Sequence, residues 1–557
     1  MCNGSGFTAW QARAIEQLLA LEGVRPALLI IDAEGESRPA RLSLVDQMRS
    51  PTLLWRLYQR TCVRGRIPAE DRRDLERELV GVPTIKCLAE RRGKYSQYFS
   101  PTDVDTIRSF GLDFILRFAF NIIRGDILAA ARLGVWSYHH GDLDKYRGMP
   151  ACFWEVAHGD PVSGVTLQRL TDGLDNGIVL KRSYFQTIRK SYPRSRDRAL
   201  RGSTDLPARV CRDVIAGKGQ YVSDPPSKTT APIFRTPTNG HMVRFLGRVA
   251  LEKVKDGVGW LFRHRQWCVG VVDHPIHAFL DPGFRPTIRW APLGERGRFL
   301  ADPFGIQRGE KLTILAEELF HSEQVGRLVA IDVEPGHAPR IRRGILDLPV
   351  HASYPFLIED DGEIYCIPET GMAQEVALFK AAEFPARWER VATLMSGVAA
   401  LDASVVHHQD RWWMFYGTKG ESDEVQLRAM YASSLKGPWE QHSANPLKTD
   451  VRGSRPGGTP FVHNGSLYRP AQDGSEGYGC AVVINHVTSL SPTEFSEEVS
   501  VRVNPDAGGP YPAGMHTLSK VGHRTLVDGQ RVLFVPSLFL AEIRKLVSRF
   551  ARARHEP

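Results

Sequence analysis

Paired histidines at the end of a short apolar strand are the residues of this chain whose type and placement best suit catalysis. His139 and His140 close that strand, and a later strand over Gly164–Leu170 ends in a turn that carries Asp172 and Asp175. Imidazoles and carboxylates at the ends of parallel strands meet at one edge of a sheet, which is where open α/β sheets bind ligands. We therefore predict an active site at this edge of a parallel sheet.

The surrounding stretch resembles the formyltransferase family, which includes methionyl-tRNA, glycinamide-ribotide and sugar N-formyltransferases. The resemblance covers roughly residues 8–235 and is most specific over 112–180. Four parts of the family motif recur in order, and they are the catalytic histidine at His139, Tyr-Arg-Gly at Tyr146–Gly148, Gly-Val-Thr at Gly164–Thr166 and Asp-x-Gly at Asp175–Gly177. The resemblance implies a doubly wound α/β domain that transfers a formyl group from 10-formyltetrahydrofolate to an amine.

Formyl transfer passes through a tetrahedral oxyanion, so the site needs hydrogen-bond donors for that oxygen and a base for the amine proton. The resemblance implies that His139 donates to the oxyanion or relays a proton, and that Asp175 orients it. Ser137 stands where the family has its catalytic asparagine. Either the Ser137 hydroxyl or His140 would then supply the missing donor, whose loss costs about 2.7–4 kcal/mol in a comparable site. The exchange implies a slower, a rearranged or an inactive enzyme.

Binding residues follow from the same resemblance. In the family, the loop after the strand that corresponds to Leu112–Phe118 lines the pterin pocket, which assigns Ile123, Arg124 and Asp172 to folate binding. Asp142 would bind the ammonium group of the acceptor or lie in a solvated loop. Arg147 would contact the substrate or, as we favour, hold its own turn by bonding to backbone carbonyls.

Length, charge and cysteine content limit the classes of protein to which this chain can belong. A chain of 557 residues exceeds one average domain of ~100–200 residues. The formal net charge of +9 comes from 72 basic and 63 acidic residues, which is no nucleic-acid-binding signature. The 8 cysteines are scattered without a C-x-x-C pair, which argues against a zinc ribbon and for reduced cytosolic thiols. We expect a cytoplasmic protein without a resident metal and without a nucleic-acid partner.

The N-terminus departs from the usual order of such a domain. Thr8–Leu21 reads as an amphipathic helix, and a strand over Ala27–Asp32 follows it. The family normally begins with a strand before its first helix. We therefore expect either a start upstream of Met1 or a sheet without its first strand. Residues 43–80 are predicted to be largely helical.

From about residue 266 the pattern changes to a β-rich repeat. Four similar openers begin its units, namely Asp302-Pro-Phe304, Tyr354-Pro-Phe356, Ala403-Ser-Val405 and Thr459-Pro-Phe461. They recur about every 50 residues, each with a tight turn and an alternating strand behind it, and a fifth unit spans Met515–Val535. This period with Asp-Gly and Asn-Gly turns is typical of propeller blades. We predict a five-bladed propeller.

This half resembles the five-bladed propellers of furanosidases and xylosidases, and most closely the propeller domain of plant glucosamine inositolphosphorylceramide transferases. Asp302 fits the first catalytic acid of those glycosidases and Asp402 stands at the third, but Tyr354 lies in the second position. The incomplete carboxylate set does not support hydrolase activity. Asp302, Asp402, Arg452 and Arg455 could instead converge with Glu369 on a sugar, although acids at blade openers are often structural.

The sequence thus predicts four segments. They are a formyltransferase-like α/β domain over 1–235, a linker and helix over 236–265, a five-bladed propeller over 266–540 and a basic amphipathic tail over 541–557. The tail would touch an anionic membrane surface, pack on the propeller or stay solvated. The favoured function is formyl transfer from 10-formyltetrahydrofolate to an amine of a sugar, sugar nucleotide or glycolipid precursor. The alternatives are a non-catalytic carbohydrate-binding or scaffold protein, and glycosyl chemistry on the propeller. The sequence does not give the oligomeric state.

Overall fold

The computed structural model divides the chain into two compact units. The first is Met1–Glu252, and the second comprises Lys253–Gly420 and the residues from Val425 onward. The structure describes residues 1–4, 6–34, 49–93, 95–173, 176–291, 297–320, 325–420 and 425–534, with the side chains of 260–262 left out. Asp175 and the basic tail over 541–557 lie outside the described residues.

Seven α-helices occur in the described part of the chain. They are α1 Ala9–Leu19, α2 Leu53–Tyr58, α3 Pro101–Ser109, α4 Phe153–His158, α5 Tyr192–Gly202, α6 Leu206–Ile215 and α7 Asn239–Phe262. Local sequence explains where α3 begins, because Ser100 Oγ accepts the N–H of Asp103 at 3.1 Å and Pro101 occupies the first helical position. The predicted helix over 43–80 is wrong in extent: α2 is short, a π-turn follows at Gln59–Val63, and 43–48 are not described.

The first unit contains thirteen described strands. They are β1 Gly6–Thr8, β2 Leu29–Asp32, β3 Arg72–Asp74, β4 Thr84–Cys87, β5 Glu90–Arg92, β6 Ser96–Tyr98, β7 Ile115–Arg117, β8 Ile122–Arg124, β9 Val135–His139, β10 Arg147–Gly148, β11 Val162–Arg169, β12 Ile178–Gln186 and β13 Ile233–Phe234. The main sheet has the order β12-β11-β9-β7, and β2 pairs with β4 in parallel. Apolar side chains pack on both faces of this sheet.

The direction of β11 corrects the expectation of a uniformly parallel sheet. β7 and β9 are parallel, but β11 runs antiparallel to β9, with Thr166 opposite His139 and Arg169 opposite Trp136. The acidic turn after Arg169 therefore leaves the sheet beside the beginning of β9 and not beside its histidine end. Hydrogen bonds to both sides place Met1 and Cys2 between β7 and β2: the Met1 amino group donates to Leu116 O at 2.9 Å, and Cys2 N–H donates to Ile30 O at 2.9 Å.

The second unit is built from antiparallel sheets. Its strands are β14 Arg263–Val272, β15 Ile288–Trp290, β16 Arg298–Arg308, β17 Lys311–Phe320, β18 Gly326–Val333, β19 Arg340–Arg342, β20 Ser353–Asp360, β21 Glu363–Glu369, β22 Glu375–Glu383, β23 Arg387–Ser396, β24 Leu401–His408, β25 Arg411–Lys419, β26 Val425–Ala432, β27 Glu440–Gln441, β28 Lys448–Thr449, β29 Phe461–His463, β30 Ser466–Asp473, β31 Ala481–Leu490, β32 Phe495–Val503, β33 Leu518–Val521 and β34 Arg524–Phe534. These strands form five sheets of four or five strands. One sheet joins both ends of the unit, because β14 pairs with β34 along its whole length.

A repeated backbone irregularity marks the beginning of three of these sheets. Asp302, Tyr354 and Asp402 each adopt a positive φ, of 53°, 44° and 50°. Each lies at a bulge where the first strand shifts its register against the second. The equivalent residue of the third unit is therefore Asp402, which places its opener one residue before the predicted Ala403-Ser-Val405.

In the described part of the chain, no helix is both long and apolar enough to span a bilayer.

Candidate active site and inner cluster

Three polar side chains form a row across the main sheet of the first unit. Arg117 on β7 lies in register with Ser137 on β9, and Ser137 lies opposite Gln168 on β11. All three line a cavity of about 100 Å³. Arg117 Nη1 donates to Ser137 Oγ at 2.7 Å, and Arg117 Nη2 donates to the carbonyl of Phe120 at 2.9 Å. The row thus presents a cation and a hydroxyl at one point of the cavity wall.

Of the three predicted folate-binding residues, one lines the same cavity and the other two adjoin residues that do. Ile123 is buried and belongs to the cavity lining. Arg124 donates to the backbone carbonyl of Asp172, and Asp172 Oδ1 accepts the N–H of Gly125 at 3.1 Å. These bonds fasten the turn after β11 to the end of β8. The structure therefore brings Ile123, Arg124 and Asp172 together, although Asp172 is not placed against His139.

His139 has a contact that fixes one of its ring nitrogens. Its Nε2 lies 2.9 Å from the carbonyl oxygen of Tyr146. A carbonyl can only accept, so Nε2 carries the proton and Nδ1 of the neutral ring is an acceptor. Gly141 makes room for this contact, because a Cβ there would lie 3.0 Å from Nε2. Ser137 and His139 share one face of β9, since they are two residues apart.

His140 points the other way, into an aromatic core. Its ring stacks on Tyr138 with centroids 5.4 Å apart and meets the edge of Trp10 at 5.0 Å. Burial, with the nearby charges of Arg196 and His139, lowers the pKa of His140 to about 3. The ring is therefore neutral at physiological pH, and it does not belong to the cavity lining.

The two predicted acceptor-binding residues hold the turn between β9 and α4. Asp142 is buried, and its Oδ1 accepts the N–H of Asp144 at 3.1 Å. Arg147 Nε donates to the carbonyl of Ala231 at 2.8 Å, as in the turn-holding role we favoured. Gly148 lets β10 pair closely with β13, because a Cβ there would lie 2.2 Å from Phe234 O. Asp142 is thus engaged within its own turn, whereas Arg147 ties that turn to the segment before β13.

Asp302 belongs to a buried relay in the second unit. His516 lies between two acids, with Nδ1 2.6 Å from Asp528 Oδ2 and Nε2 3.4 Å from Asp302 Oδ1. Burial alone would lower the pKa of His516, but the charges of Asp528 and Asp302 raise it to about 9. Burial raises the pKa of Asp302 to about 6. The charge of His516 opposes this rise, and the charge of Asp402 adds to it.

Asp402 and Arg455 form an ion pair, as the predicted convergence requires. Arg455 donates to both oxygens of Asp402, and Gln472 Nε2 donates to Asp402 Oδ2 at 2.8 Å. Glu369 Oε2 accepts the backbone N–H of Asp402 at 2.9 Å and lies 3.8 Å from Arg455 Nη2. Burial, and then the charge of Asp402, raises the pKa of Glu369 well above its usual value. Residues from several sheets therefore meet here.

Glu317 is an acid of this region that sequence reasoning missed. It pairs in register with Ala301, as Glu369 pairs with Ser353, so the two glutamates occupy equivalent places in successive sheets. Both also follow their positive-φ residue at the same distance along the chain, as the numbers of Asp302 and Tyr354 show. This shared offset was the available signal. Asp302, Glu317, Glu369 and Asp402 are called the inner cluster below.

Comparison with protein families confirms both resemblances. Residues 68–197 match the model described as formyl transferase. Residues 289–511 match the model described as the N-terminal part of glucosamine inositolphosphorylceramide transferase 1. The chain therefore joins a formyltransferase segment to a β-rich segment of the second kind.

Each of the individual relatives matches one segment of the chain. Glucosamine inositolphosphorylceramide transferase 1 of Oryza sativa subsp. indica is 33% identical over 225 residues, which is 39% of this chain and 30% of the relative. Methionyl-tRNA formyltransferase of Phenylobacterium zucineum is 33% identical over 128 residues, which is 22% of this chain and 41% of the relative. The chain thus spans less than half the length of either protein.

Solved structures resemble the chain only weakly. Zg3597, a family 117 glycoside hydrolase of Zobellia galactanivorans, has a TM-score of 0.31 and 14% sequence identity, over 49% of this chain and 91% of that one. A likeness at this level transfers no feature of that enzyme to this chain.

Proposed function

We propose that the first unit transfers a formyl group from 10-formyltetrahydrofolate to an amine of a sugar, sugar nucleotide or glycolipid precursor. The observation that carries this proposal is the Arg117–Ser137 pair at the cavity wall, on the strand face that also bears His139. The pair supplies the donors that the oxyanion needs, in the place of the family's asparagine. The formyl transferase match over 68–197 supports the reaction class.

The residues divide the work between them. The acceptor nitrogen attacks the formyl carbon, and negative charge develops on the carbonyl oxygen beside Arg117 and Ser137. His139 accepts the amine proton at Nδ1, because Nε2 is committed to Tyr146 O. The bond from the formyl carbon to N10 of the folate then breaks, N10 takes a proton, and tetrahydrofolate leaves with the formamide formed on the acceptor.

We propose further that the second unit is a five-bladed propeller that recognises the glycan part of the acceptor. The support is its five sheets, the pairing of β14 with β34, and the charged inner cluster. The relative in Oryza sativa is named a glucosamine inositolphosphorylceramide transferase, which is consistent with a sugar ligand. Folate and an amino-sugar acceptor are then the partners of this protein.

The test replaces Arg117. With 10-formyltetrahydrofolate and glucosamine as substrates, N-formylglucosamine is measured by mass spectrometry and tetrahydrofolate by absorbance. Arg117→Gln is expected to lower the turnover rate about 10²–10³-fold, as the loss of an oxyanion donor does. Arg117→Lys keeps the positive charge but lacks the planar guanidinium group. Its turnover rate should therefore lie between those of wild type and Arg117→Gln.

Arg132→Gln is the matched control, because Arg132 is an exposed arginine of the same unit that pairs with Asp113. It should leave the turnover rate unchanged. A folded wild-type protein that neither binds a folate analogue nor transfers the formyl group to any amino sugar would refute the proposal and favour a carbohydrate-binding scaffold.

A further inference from the structure

Among the described residues, the inner cluster places four acids beside two cations, Arg455 and His516. Asp528 is already satisfied, because it accepts the N–H groups of His516 and Thr517 at 2.8 and 3.0 Å and pairs with the His516 ring. Arg455 pairs with Asp402. Asp302 lies 3.4 Å from His516 and Glu369 lies 3.8 Å from Arg455, so among the described residues Glu317 is the acid of the cluster that pairs with neither cation.

Glu317 is the acid of this cluster with the fewest contacts. Its side chain is 9% exposed, and its one ionic contact among the described residues is His351, with Nε2 3.6 Å from Oε1. Burial lowers the pKa of His351, so its ring is neutral at pH 7. Glu317 thus makes no hydrogen bond within the described part of the chain. A buried carboxyl group without a hydrogen bond is costly, so natural proteins rarely keep one without a use.

The charges of the cluster act on one another. Asp302 and Asp402 raise the pKa of Glu317, after burial, to about 8, and His516 and Arg455 oppose that rise. Tyr478 lies close both to the His516 relay and to the Asp402–Arg455 ion pair, since its ring lies 5.2 Å from the His516 ring and 5.2 Å from the Arg455 guanidinium. About half of Tyr478 is exposed, so the cluster has an aromatic side chain at the surface.

We infer that the inner cluster binds the ammonium group of an amino sugar. An ammonium group donates three hydrogen bonds, and Glu317 and Asp302 offer acceptor oxygens for them. Trp267, whose ring lies 4.1 Å from that of His516, and Tyr478 supply aromatic faces, which favour both cations and sugar rings. The inference rests on the proposed function in one respect, namely that the acceptor is a sugar amine. It adds that the second unit binds the amine form and rejects the formylated product.

A metal ion suits this place less well. Asp302, His516 and Asp528 hold ligand atoms within 4.8 Å of one another. However, both ring nitrogens of His516 already face carboxylates, and a metal needs a deprotonated ring nitrogen. An ammonium group can be bound beside this relay without removing its proton.

Calorimetric titration of the full chain tests the inference. Glucosamine and N-acetylglucosamine serve as probes, because the acetyl group of the second converts the ammonium group into a neutral amide. Wild-type protein is expected to bind glucosamine at least tenfold more tightly. Glu317→Gln should reduce this preference to twofold or less, whereas Glu363→Gln, which alters an exposed pair with Lys380 in the same unit, should preserve it.

A second measurement detects whether the cluster releases protons when the sugar binds. Binding of a cation favours the charged form of Glu317, so glucosamine should release protons, and its binding enthalpy should depend on the ionisation enthalpy of the buffer. N-acetylglucosamine should show no such dependence. Equal affinity for the two sugars, an unchanged preference in Glu317→Gln, or binding of a divalent cation without binding of glucosamine would each overturn the inference.

These outcomes are separable from those of the proposed function. Formyl transfer that persists without selective binding of the amine would refute the cation site and leave the enzyme assignment intact. Selective binding by a protein that transfers no formyl group would support the cation site and refute the enzyme assignment.

Discussion

Glu155 is a buried acid of the first unit whose replacement should change the pH dependence of stability. Its side chain on α4 is 1% exposed, and its Oε1 has no hydrogen-bond partner among the residues that the structure describes. Burial, opposed by a backbone N–H and assisted by Asp160, raises the pKa of Glu155 from 4.5 to about 8. Between pH 4.5 and about 8, the folded protein therefore keeps a proton that the unfolded chain has already lost. The free energy of unfolding falls as the pH rises through that range.

The magnitude follows from the two pKa values. At ~1.4 kcal/mol per pKa unit, the gap corresponds to about 5 kcal/mol once the pH exceeds the folded value. Glu155→Gln keeps the shape and removes the ionisation. The variant should match wild type at pH 4.5 and become several kcal/mol more stable by pH 8.5, as measured by urea denaturation of the first unit.

Glu78→Gln is the control, because Glu78 is exposed in the same unit. It should give a difference that does not change with pH. If Glu155→Gln and wild type keep a constant difference in unfolding free energy between pH 4.5 and 8.5, the carboxyl group ionises normally and the reasoning about its burial is refuted.

Two further substitutions test the cores of the two units. His140→Phe should remove acid sensitivity, because the folded pKa of about 3 means that stability is lost as the pH falls from 6.5 towards 3; an equal loss of melting temperature in acid for both proteins would contradict this. Arg469→Met should destabilise the second unit by about 3–5 kcal/mol, since Arg469 is fully buried and holds Glu497 at 2.7 and 2.9 Å. A calorimetric transition of the second unit that does not move would show that Lys448 alone suffices for Glu497.

The sequence placed His139 and Ser137 on one strand correctly, because an apolar run before a polar end is a strong local pattern. It did not reveal Arg117 and Gln168 as their neighbours. Both are polar residues inside apolar strands, which is a signal, but register between strands distant in sequence depends on packing. The direction of β11 was missed for a related reason. A connection that contains a helix is typical of parallel strands, and here the chain returns antiparallel.

The repeat of the second unit could be predicted from the period of about 50 residues in the sequence. The number of sheets, five, equals the number of predicted units. The residues that meet in its interior were only partly readable. Asp402 and Arg455 were expected together, whereas Glu317 emerges from the equivalence of Ala301 and Ser353 in the strand register. The pairing of His516 with Asp302 joins residues more than two hundred positions apart, which no local pattern can show.

Formation of N-formylglucosamine from 10-formyltetrahydrofolate and glucosamine, compared between wild type and Arg117→Gln at equal folate occupancy, tests the central claim most directly. The account predicts product with wild type, a rate about 10²–10³-fold lower in the variant, and folate affinity that remains within a few fold. Equal rates in the two proteins would show that Arg117 and Ser137 do not stabilise the oxyanion, and the catalytic assignment would fall.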